Sequence, residues 1–240
     1  MARIVKEEEY AEKRNAILDV ARRLVYSKGY EQMTIQDILD DLQISKGAFY
    51  HYFDSKPALL EALVERMEVE IEKLLLPIVH DPEVAALQKL QRFFDAINRF
   101  KIARKDFLLA LLQGWYRDDN AIVRQKLIMR GTKQIKPLLA EIVHQGIQEG
   151  VFSTFYPEQV SEVVLSLGLA LGDTLGQLLL SSESGYDDLQ HIECTVAAYN
   201  DALERVLGAP KDSLSLADAL TLKEWFVSKV ETSDKGVSEE

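Results

Sequence analysis

The sequence predicts an all-α protein with a small N-terminal helix-turn-helix domain of three helices and a larger C-terminal helical bundle. Apolar residues recur at helical spacing along most of the 240 residues, and no convincing strand-like alternation of apolar and polar residues is found. Glycines and prolines fall mainly at the ends of the periodic segments. A composition of 47% hydrophobic and 28% charged residues is typical of a globular chain.

The elements follow in chain order. After a charge-rich start, a helix from about Ala11 to Lys28 ends at Gly29, and two short helices and a longer one from Pro57 come next. Pro77 and the His-Asp-Pro run after it mark a domain boundary. The predicted divisions are a flexible arm (1–9), a helix-turn-helix domain (10–56), a connecting helix (57–76), a larger helical domain (77–230) and a disordered tail (231–240).

The larger domain contains a series of periodic stretches. They predict helices at 83–103, 104–115, 119–149, 157–181 and 187–207, and an amphipathic segment from Leu214 to Val230. What the last segment contributes is left open by its pattern.

The formal net charge of −11 argues at first against a partner rich in phosphate. The charge is unevenly distributed, however. Residues 1–56 hold nine Lys and Arg against ten Asp and Glu, whereas the remaining residues hold 19 against 29. The N-terminal part can therefore present a local basic face.

Cys194 is the single cysteine, so no intramolecular disulfide can form, which fits a reducing cytoplasm. Residues 1–15 lack the apolar core of a secretory signal. The uncharged stretch Val163–Gly172 is followed by Asp173 and is shorter than the roughly 20 apolar residues of a membrane span. We therefore expect a cytoplasmic protein that does not enter a membrane.

The segment from Met33 to Lys56 has the pattern of two short helices joined by a tight turn. Thr34, followed three residues later by Asp37, predicts a capping box at the first helix, and Ser45 can cap the second. Only Gln43 and Ile44 lie between the two, so the helices must cross steeply, as in a helix-turn-helix.

The second short helix, predicted over Lys46–Phe53, has a buried face and a small-residue tip. Phe49 and Phe53 are four residues apart and share the face toward the core. Gly47 and Ala48 would let the helix approach the bases of a major groove, where Lys46 can reach a guanine edge or a phosphate.

Polar aromatic side chains surround this tip. Tyr50, His51 and Tyr52 can contact phosphate oxygens, and Lys56 at the start of the next helix forms a ready phosphate site. The alternative is a plain helical hairpin with a stacked aromatic core. The convergence of a Ser-Lys-Gly start, the aromatic run and a Ser-Lys-Pro start favours DNA binding.

The same segment resembles the TetR (tetracycline repressor-like) regulators. The resemblance rests on the Thr-initiated helix, the short turn, Ser-Lys-Gly-x-Phe-Tyr-x-x-Phe at 45–53, and Ser-Lys before a long helix; it covers about residues 14–65. The phrase GIQEGVF at 146–152 extends it weakly. It implies an operator-binding role but not a particular ligand.

The resemblance also implies roles for single residues: a phosphate contact for Thr34, and a possible base contact for Gln36. The DNA-contacting residues predicted in all are Thr34, Gln36, Ser45, Lys46, Gly47, Ala48, Tyr50, His51, Tyr52 and Lys56. The sequence departs from the family pattern at Gln43, where Gly is usual, and at Ala58, where an acidic residue often completes a capping box. Asp40 and Asp41 add negative charge near the predicted DNA face.

The stretch VVLSLGLALGDTLGQLLL at 163–180 is apolar nearly all round, which predicts a helix covered on two sides. It is either a central core helix or a helix shared with a second subunit. The resemblance favours a homodimer, with helix 187–207 as the partner helix and a pseudo-palindromic operator. The residues predicted at this interface are Gly168, Gly172, Leu175, Gly176 and Leu179.

An effector site in the larger domain is predicted from aromatic residues and from two polar residues on an apolar helix. The candidates are Phe94, Asn98, Phe107, Trp115, Tyr116, Asp173 and Gln177. An aromatic stripe at helical spacing can equally be ordinary core. The chemistry of the effector stays open, although an acidic bundle with an apolar interior suggests a hydrophobic or cationic molecule.

No pattern predicts catalysis, a cofactor or a metal site. The four histidines lack metal-ligand spacing, and the glycines at 168, 172 and 176 do not follow a strand as a dinucleotide motif requires. The sequence therefore predicts a DNA-binding transcription regulator, a repressor released by a small molecule, rather than an enzyme. A helical adaptor protein and an enzyme with an unrecognised site are the alternatives.

Overall fold

The computed structural model describes residues 2–181 and 186–233, and the elements in this part of the chain are all helical. A short 3₁₀ helix spans Asp118–Asn120. The α-helices are α1 (Ala2–Gln32), α2 (Ile35–Leu42), α3 (Lys46–Tyr50), α4 (Lys56–Val79), α5 (Ala86–Ile102), α6 (Lys105–Trp115), α7 (Ala121–Gln148), α8 (Pro157–Leu180), α9 (Tyr186–Leu207) and α10 (Ala219–Ser233). The predicted all-α class is confirmed.

The N-terminal region differs from the predicted arm. Helix α1 begins at Ala2, because Glu and Lys are good helix formers and adding turns to an existing helix costs little. Gly29 has φ 79°, which interrupts the helical geometry where the sequence predicts the end of the helix. Of the predicted tail, residues 231–233 belong to α10, and 234–240 lie outside the described residues.

Three other boundaries differ. Helix α3 ends at Tyr50 rather than Phe53, and α4 runs past Pro77 to Val79. Helix α10 begins at Ala219, since the preceding residues from Leu214 form a non-helical segment whose backbone is bound by side chains of α5 and α9.

The first of two compact units comprises residues 1–69 and 105–129. Helix α6 belongs to this unit, although the sequence prediction assigned it to the larger domain. Phe107 and Leu111 enter the core formed by α1 to α4, and Gly114 lies against the buried ring of Tyr30. A Cβ at Gly114 would lie 2.2 Å from Tyr30 Cδ1, so only glycine permits this close contact of α6 with α1.

The second unit comprises residues 70–104 and 130–240. Helix α9 packs along α8, and α10 packs on α5. Lys89 is buried in this unit, and its Nζ donates a hydrogen bond to the Val79 carbonyl at 2.7 Å, which caps the end of α4. The apolar core of the second unit includes Leu90, Phe93 and Phe226.

The segment between α9 and α10 is bound to the second unit through its backbone. Buried Glu204 of α9 accepts hydrogen bonds from the N–H groups of Asp212, Ser213 and Leu214, at 3.0, 2.7 and 3.0 Å. Asn98 of α5 donates to the Leu216 carbonyl at 2.8 Å. These bonds satisfy a backbone that has no helical partners and explain why Leu214 can be buried without helical structure.

We predict that Glu204→Ala lowers the free energy of unfolding by about 3 kcal/mol, because three backbone donors lose a charged acceptor. Glu204→Gln should cost less, since one acceptor oxygen remains. The measurement is urea unfolding followed by circular dichroism at a fixed protein concentration. Glu193→Ala, which removes an exposed carboxylate from the same helix, is the control and should change the free energy by under about 0.5 kcal/mol.

Candidate nucleic-acid interface

Helix α2 begins with the predicted capping box. Asp37 N donates to Thr34 Oγ1 at 3.1 Å, and Thr34 N donates to Asp37 Oδ2 at 2.7 Å. Lys28 Nζ lies 2.7 Å from the same carboxylate. The bond to Lys28, followed by those from Thr34, lowers the pKa of Asp37 to about 2. The carboxylate therefore stays ionised as the cap of α2 at any physiological pH.

The turn between α2 and α3 depends on a residue in the left-handed region. Gln43 has φ 53° and ψ 40°, which an L-residue adopts at a cost. Its Nε2 donates to the Asp40 carbonyl at 2.5 Å, and Ile44 N donates to the Leu39 carbonyl at 3.1 Å. These bonds at the end of α2 offset part of the strain and leave Ser45 in position to cap α3, where its Oγ accepts from Ala48 N at 3.1 Å.

Helix α3 is held by two buried rings and presents its opposite side to solvent. Phe49 and Phe53 are buried, and the Arg14 guanidinium lies 5.1 Å from the centre of the Phe53 ring. The exposed residues of the predicted tip and rim are Lys46, Gly47, Tyr50 and His51, while Ala48 is half-buried. Because the buried face fixes the rotation of α3, these exposed groups form one surface with the helix N-terminus.

Tyr10 is a contact that the sequence prediction missed. Its ring centre lies 4.8 Å from that of Tyr52 and 5.6 Å from that of His51. The N-terminal part of α1 thereby supports the two aromatic side chains that follow α3. A signal existed in the sequence, since Tyr10 precedes buried Ile17 by seven residues and so lies on the same helix face.

Lys56 differs from the prediction of an exposed phosphate contact. Its Nζ donates to the Glu31 carbonyl at 3.0 Å and lies 4.5 Å from the centre of the Tyr30 ring. Burial lowers the pKa of Lys56. The ammonium is satisfied inside the first unit, because a carbonyl and an aromatic face together replace part of its hydration.

Two other predicted DNA-contacting groups are engaged within the protein. The Thr34 hydroxyl takes part in the capping box, and Gln36 Nε2 donates to Asp40 Oδ1 at 2.7 Å. Asp41, one of the acidic residues near this face, is bound by Arg23 Nη2 at 2.6 and 2.7 Å. The acidic side chains of α2 are therefore largely neutralised by partners within the unit.

The predicted effector residues do not form one cluster within either unit. Phe107, Trp115 and Tyr116 belong to the first unit, and the remaining four belong to the second. Asn98 binds the backbone of Leu216, as described above. Asp173 and Gln177 are exposed because they lie on the side of α8 that faces away from the core. Gln177 Nε2 donates a hydrogen bond to Asp173 Oδ2 at 2.9 Å.

The predicted interface residues lie on two sides of α8. Gly176 is buried, Leu175 and Leu179 are partly buried against the core, and a Cβ at Gly168 or Gly172 would meet open space.

Length and composition alone would let α8 cross a bilayer. The most apolar 18-residue window of α8 has a mean hydropathy of 1.7, yet only 22% of it is buried.

We predict that Gln43→Gly raises the free energy of unfolding by about 1 kcal/mol, because glycine adopts the left-handed conformation without strain. Gln43→Ala should instead lower it, since both variants lose the side-chain bond to Asp40 but only alanine keeps the strain. Urea unfolding of the two variants beside the parent chain gives the comparison. Equal effects of glycine and alanine would contradict a strained turn.

Comparisons with known proteins agree with this geometry. The family model "Bacterial regulatory proteins, tetR family" matches residues 17–63, and "Tetracyclin repressor-like, C-terminal domain" matches residues 116–175. A crystal structure of a TetR-family transcriptional regulator from Pectobacterium atrosepticum is similar in fold, with a TM-score of 0.61 at 19% identity over 85% of this chain and 98% of that one.

Curated relatives match over shorter stretches. An uncharacterized HTH-type transcriptional regulator of Lactococcus lactis is 36% identical over 34% of this chain and 41% of its own length. An HTH-type transcriptional repressor of Mycobacterium tuberculosis is 36% identical over 42% of this chain and 54% of its own length. The chain thus spans about half the length of these relatives or less. Two models of this one family match separate parts of the chain, which supports a transcription regulator of the tetR family.

Proposed function

We propose that this protein is a sequence-specific DNA-binding transcription regulator, a repressor that a small molecule releases from a pseudo-palindromic operator. The observation that carries the proposal is the exposed tip of α3, where Lys46 and Gly47 are unobstructed while Phe49 and Phe53 anchor the opposite face. A helix so anchored presents its N-terminal end to a major groove. Its site of action would be cytoplasmic DNA.

Charge in the first unit supports this role despite the net charge of −11. Arg23 and Lys28 pair with Asp41 and Asp37, so α2 adds little negative potential beside α3. Lys46 has no carboxylate partner in the part of the chain that the structure describes, and its Nζ lies 5.9 Å from the centre of the Tyr50 ring. It can turn toward a guanine edge or a phosphate without breaking an ion pair.

Gly47→Ala gives a direct test, because a Cβ at this position meets only Ser45 Oγ, at 3.9 Å. The variant should fold as the parent does, yet bind its operator at least about tenfold more weakly, since a methyl group would stand between α3 and the bases. Lys46→Gln should weaken specific binding by a similar factor. The measurement is fluorescence anisotropy with the DNA upstream of the protein's own coding sequence at several salt concentrations.

Lys223→Gln on α10 is the matched control, because it removes an exposed cation from the second unit. It should leave operator affinity within about twofold of the parent. Absence of salt-sensitive specific binding by the parent chain would reject the proposed function. Equal losses for Gly47→Ala on operator and unrelated DNA would reject the role of the α3 tip in reading sequence.

A homodimer formed through α8 and α9 would supply the two-fold symmetry of the operator. Val163, Leu169 and Leu180 are exposed on α8, and α9, which packs along α8, exposes Ala197 and Ala198. An apolar surface of this kind on an otherwise charged protein indicates an interface. Two such faces can pack against each other in an isologous dimer, whose heads would read half-sites about 34–36 Å apart.

Leu169→Glu should convert the dimer to a monomer, because it places two carboxylates in an apolar interface. Leu169 is 44% exposed, so the fold of the single chain should tolerate the change. Leu220→Glu is the control, since Leu220 is 67% exposed on α10, outside the proposed interface. Sedimentation equilibrium should give the monomer mass for the first variant and the dimer mass for the second. A parent chain that is itself monomeric would reject the dimer.

Release by an effector would act through α4. This helix is continuous from Lys56 to Val79, with residues up to 69 in the first unit and from 70 in the second. A ligand bound to the second unit could shift α4 and so change the spacing of the two heads on DNA. Such a ligand must bind the two states with different affinity in order to act.

A further inference from the structure

A surface groove in the second unit combines an apolar floor with cationic side chains at its rim. It lies between α4 and α5 and has a volume of about 730 Å³, within the range of small-molecule sites. Leu74, Pro77 and Ile78 of α4 face Ala96 and Phe100 of α5 across it. From Glu70 to Ile78 the groove follows α4 for about 12 Å, at 1.5 Å per residue. The candidate residues predicted from sequence did not include it.

The rim carries two cations without partners. Lys73 and Arg99 line the groove and are exposed, and among the described residues neither makes a hydrogen bond or an ion pair. Glu70 is the one carboxylate among the residues that line the groove, and it is paired with Arg104. The residues that line the groove therefore carry an excess of positive charge.

The third cation of the groove is fixed and neutralised. Arg104 donates to Glu70 Oε2 at 2.7 Å, and its guanidinium lies 3.7 Å from the centre of the Phe100 ring. This ion pair lies at one end of the groove, and the guanidinium covers one face of the ring. The positive charge that can pair with a ligand therefore comes from Lys73 and Arg99, while the planar guanidinium of Arg104 forms a wall of the groove.

We propose that this groove binds an amphipathic anion, a small molecule with a hydrocarbon chain and one negatively charged head group. The chain would lie on Leu74, Ile78 and Phe100, and the head group would be held by Lys73 and Arg99. A neutral hydrocarbon would leave both cations unused, and a cationic amphipath would be repelled by them. The sequence suggested a hydrophobic or cationic effector, whereas this groove favours an anion that carries a hydrocarbon chain.

The proposal that this groove binds a ligand depends only on the groove itself. The further proposal that this ligand is the effector rests on the proposed function. The groove includes residues of α4, the helix that continues into the first unit. A bound chain would therefore contact the element through which release would act.

Decanoate is the probe, used below its aggregation concentration with the full-length protein, and isothermal titration calorimetry measures its binding. We expect about one decanoate per chain, weaker binding of hexanoate because fewer methylenes are buried, and weaker binding of decanol and decyltrimethylammonium. The double variant Lys73→Gln with Arg99→Gln should bind decanoate about tenfold more weakly. Both side chains are exposed, so the fold should be retained, which circular dichroism checks.

The matched control is Arg92→Gln with Lys223→Gln, which removes the same charge from exposed positions outside the groove. It should bind decanoate within about twofold of the parent. No binding of decanoate, equal binding of decyltrimethylammonium, or equal loss in the two double variants would overturn the site. Anisotropy with operator DNA is then measured with and without decanoate. A protein that binds decanoate but not DNA would reject the proposed function and support the groove as a binding site. A protein that binds DNA but not decanoate would support the proposed function and reject the groove as a binding site.

Discussion

The turn of two residues between α2 and α3 is the constraint on which the DNA-facing surface depends. Gln43 must adopt the left-handed region for the chain to leave α2 and enter α3 at a steep angle. Only with that geometry can Ser45 cap α3 while Phe49 and Phe53 enter the core. The strain at Gln43 is repaid by the burial of two aromatic rings, each of which contributes more than the turn costs. The exposed tip is a consequence of this packing.

Electrostatics in this protein is decided by pairing and not by net charge. Asp37 and Asp41 would oppose DNA if their charges were unbalanced, but a lysine and an arginine pair with them, and the Gln36 amide donates a hydrogen bond to Asp40. Lys56 shows the opposite effect, since a cation expected at the surface is held by a carbonyl and a ring. In the second unit Lys73 and Arg99 make no ion pair with any residue of 70–104, 130–181 or 186–233. Local partners thus determine which charges can meet a ligand.

Helix α8 has an exposed apolar side, and the segment before α10 has backbone groups without helical partners. The two are satisfied in different ways. The exposed apolar side of α8 can be covered only by another surface, for which a second copy of the chain is proposed. The non-helical segment is covered within the chain, because Glu204, Asn98 and Gln91 bond to its backbone. The first requires association and the second does not, since hydrogen bonds can be made locally but a broad apolar face needs a matching one.

The sequence by itself determined the helical class, most helix positions and the caps at Thr34 and Ser45, because periodicity and capping depend on residues close in the chain. Only the tertiary structure decided that α6 belongs to the first unit, since the contact of Gly114 with Tyr30 joins residues far apart in sequence. The inward Lys56, the support from Tyr10 and the scattering of the effector candidates were decided in the same way. Each depends on which distant groups the packing brings together, and a local pattern can assign a residue to a helix face but cannot identify its partner there.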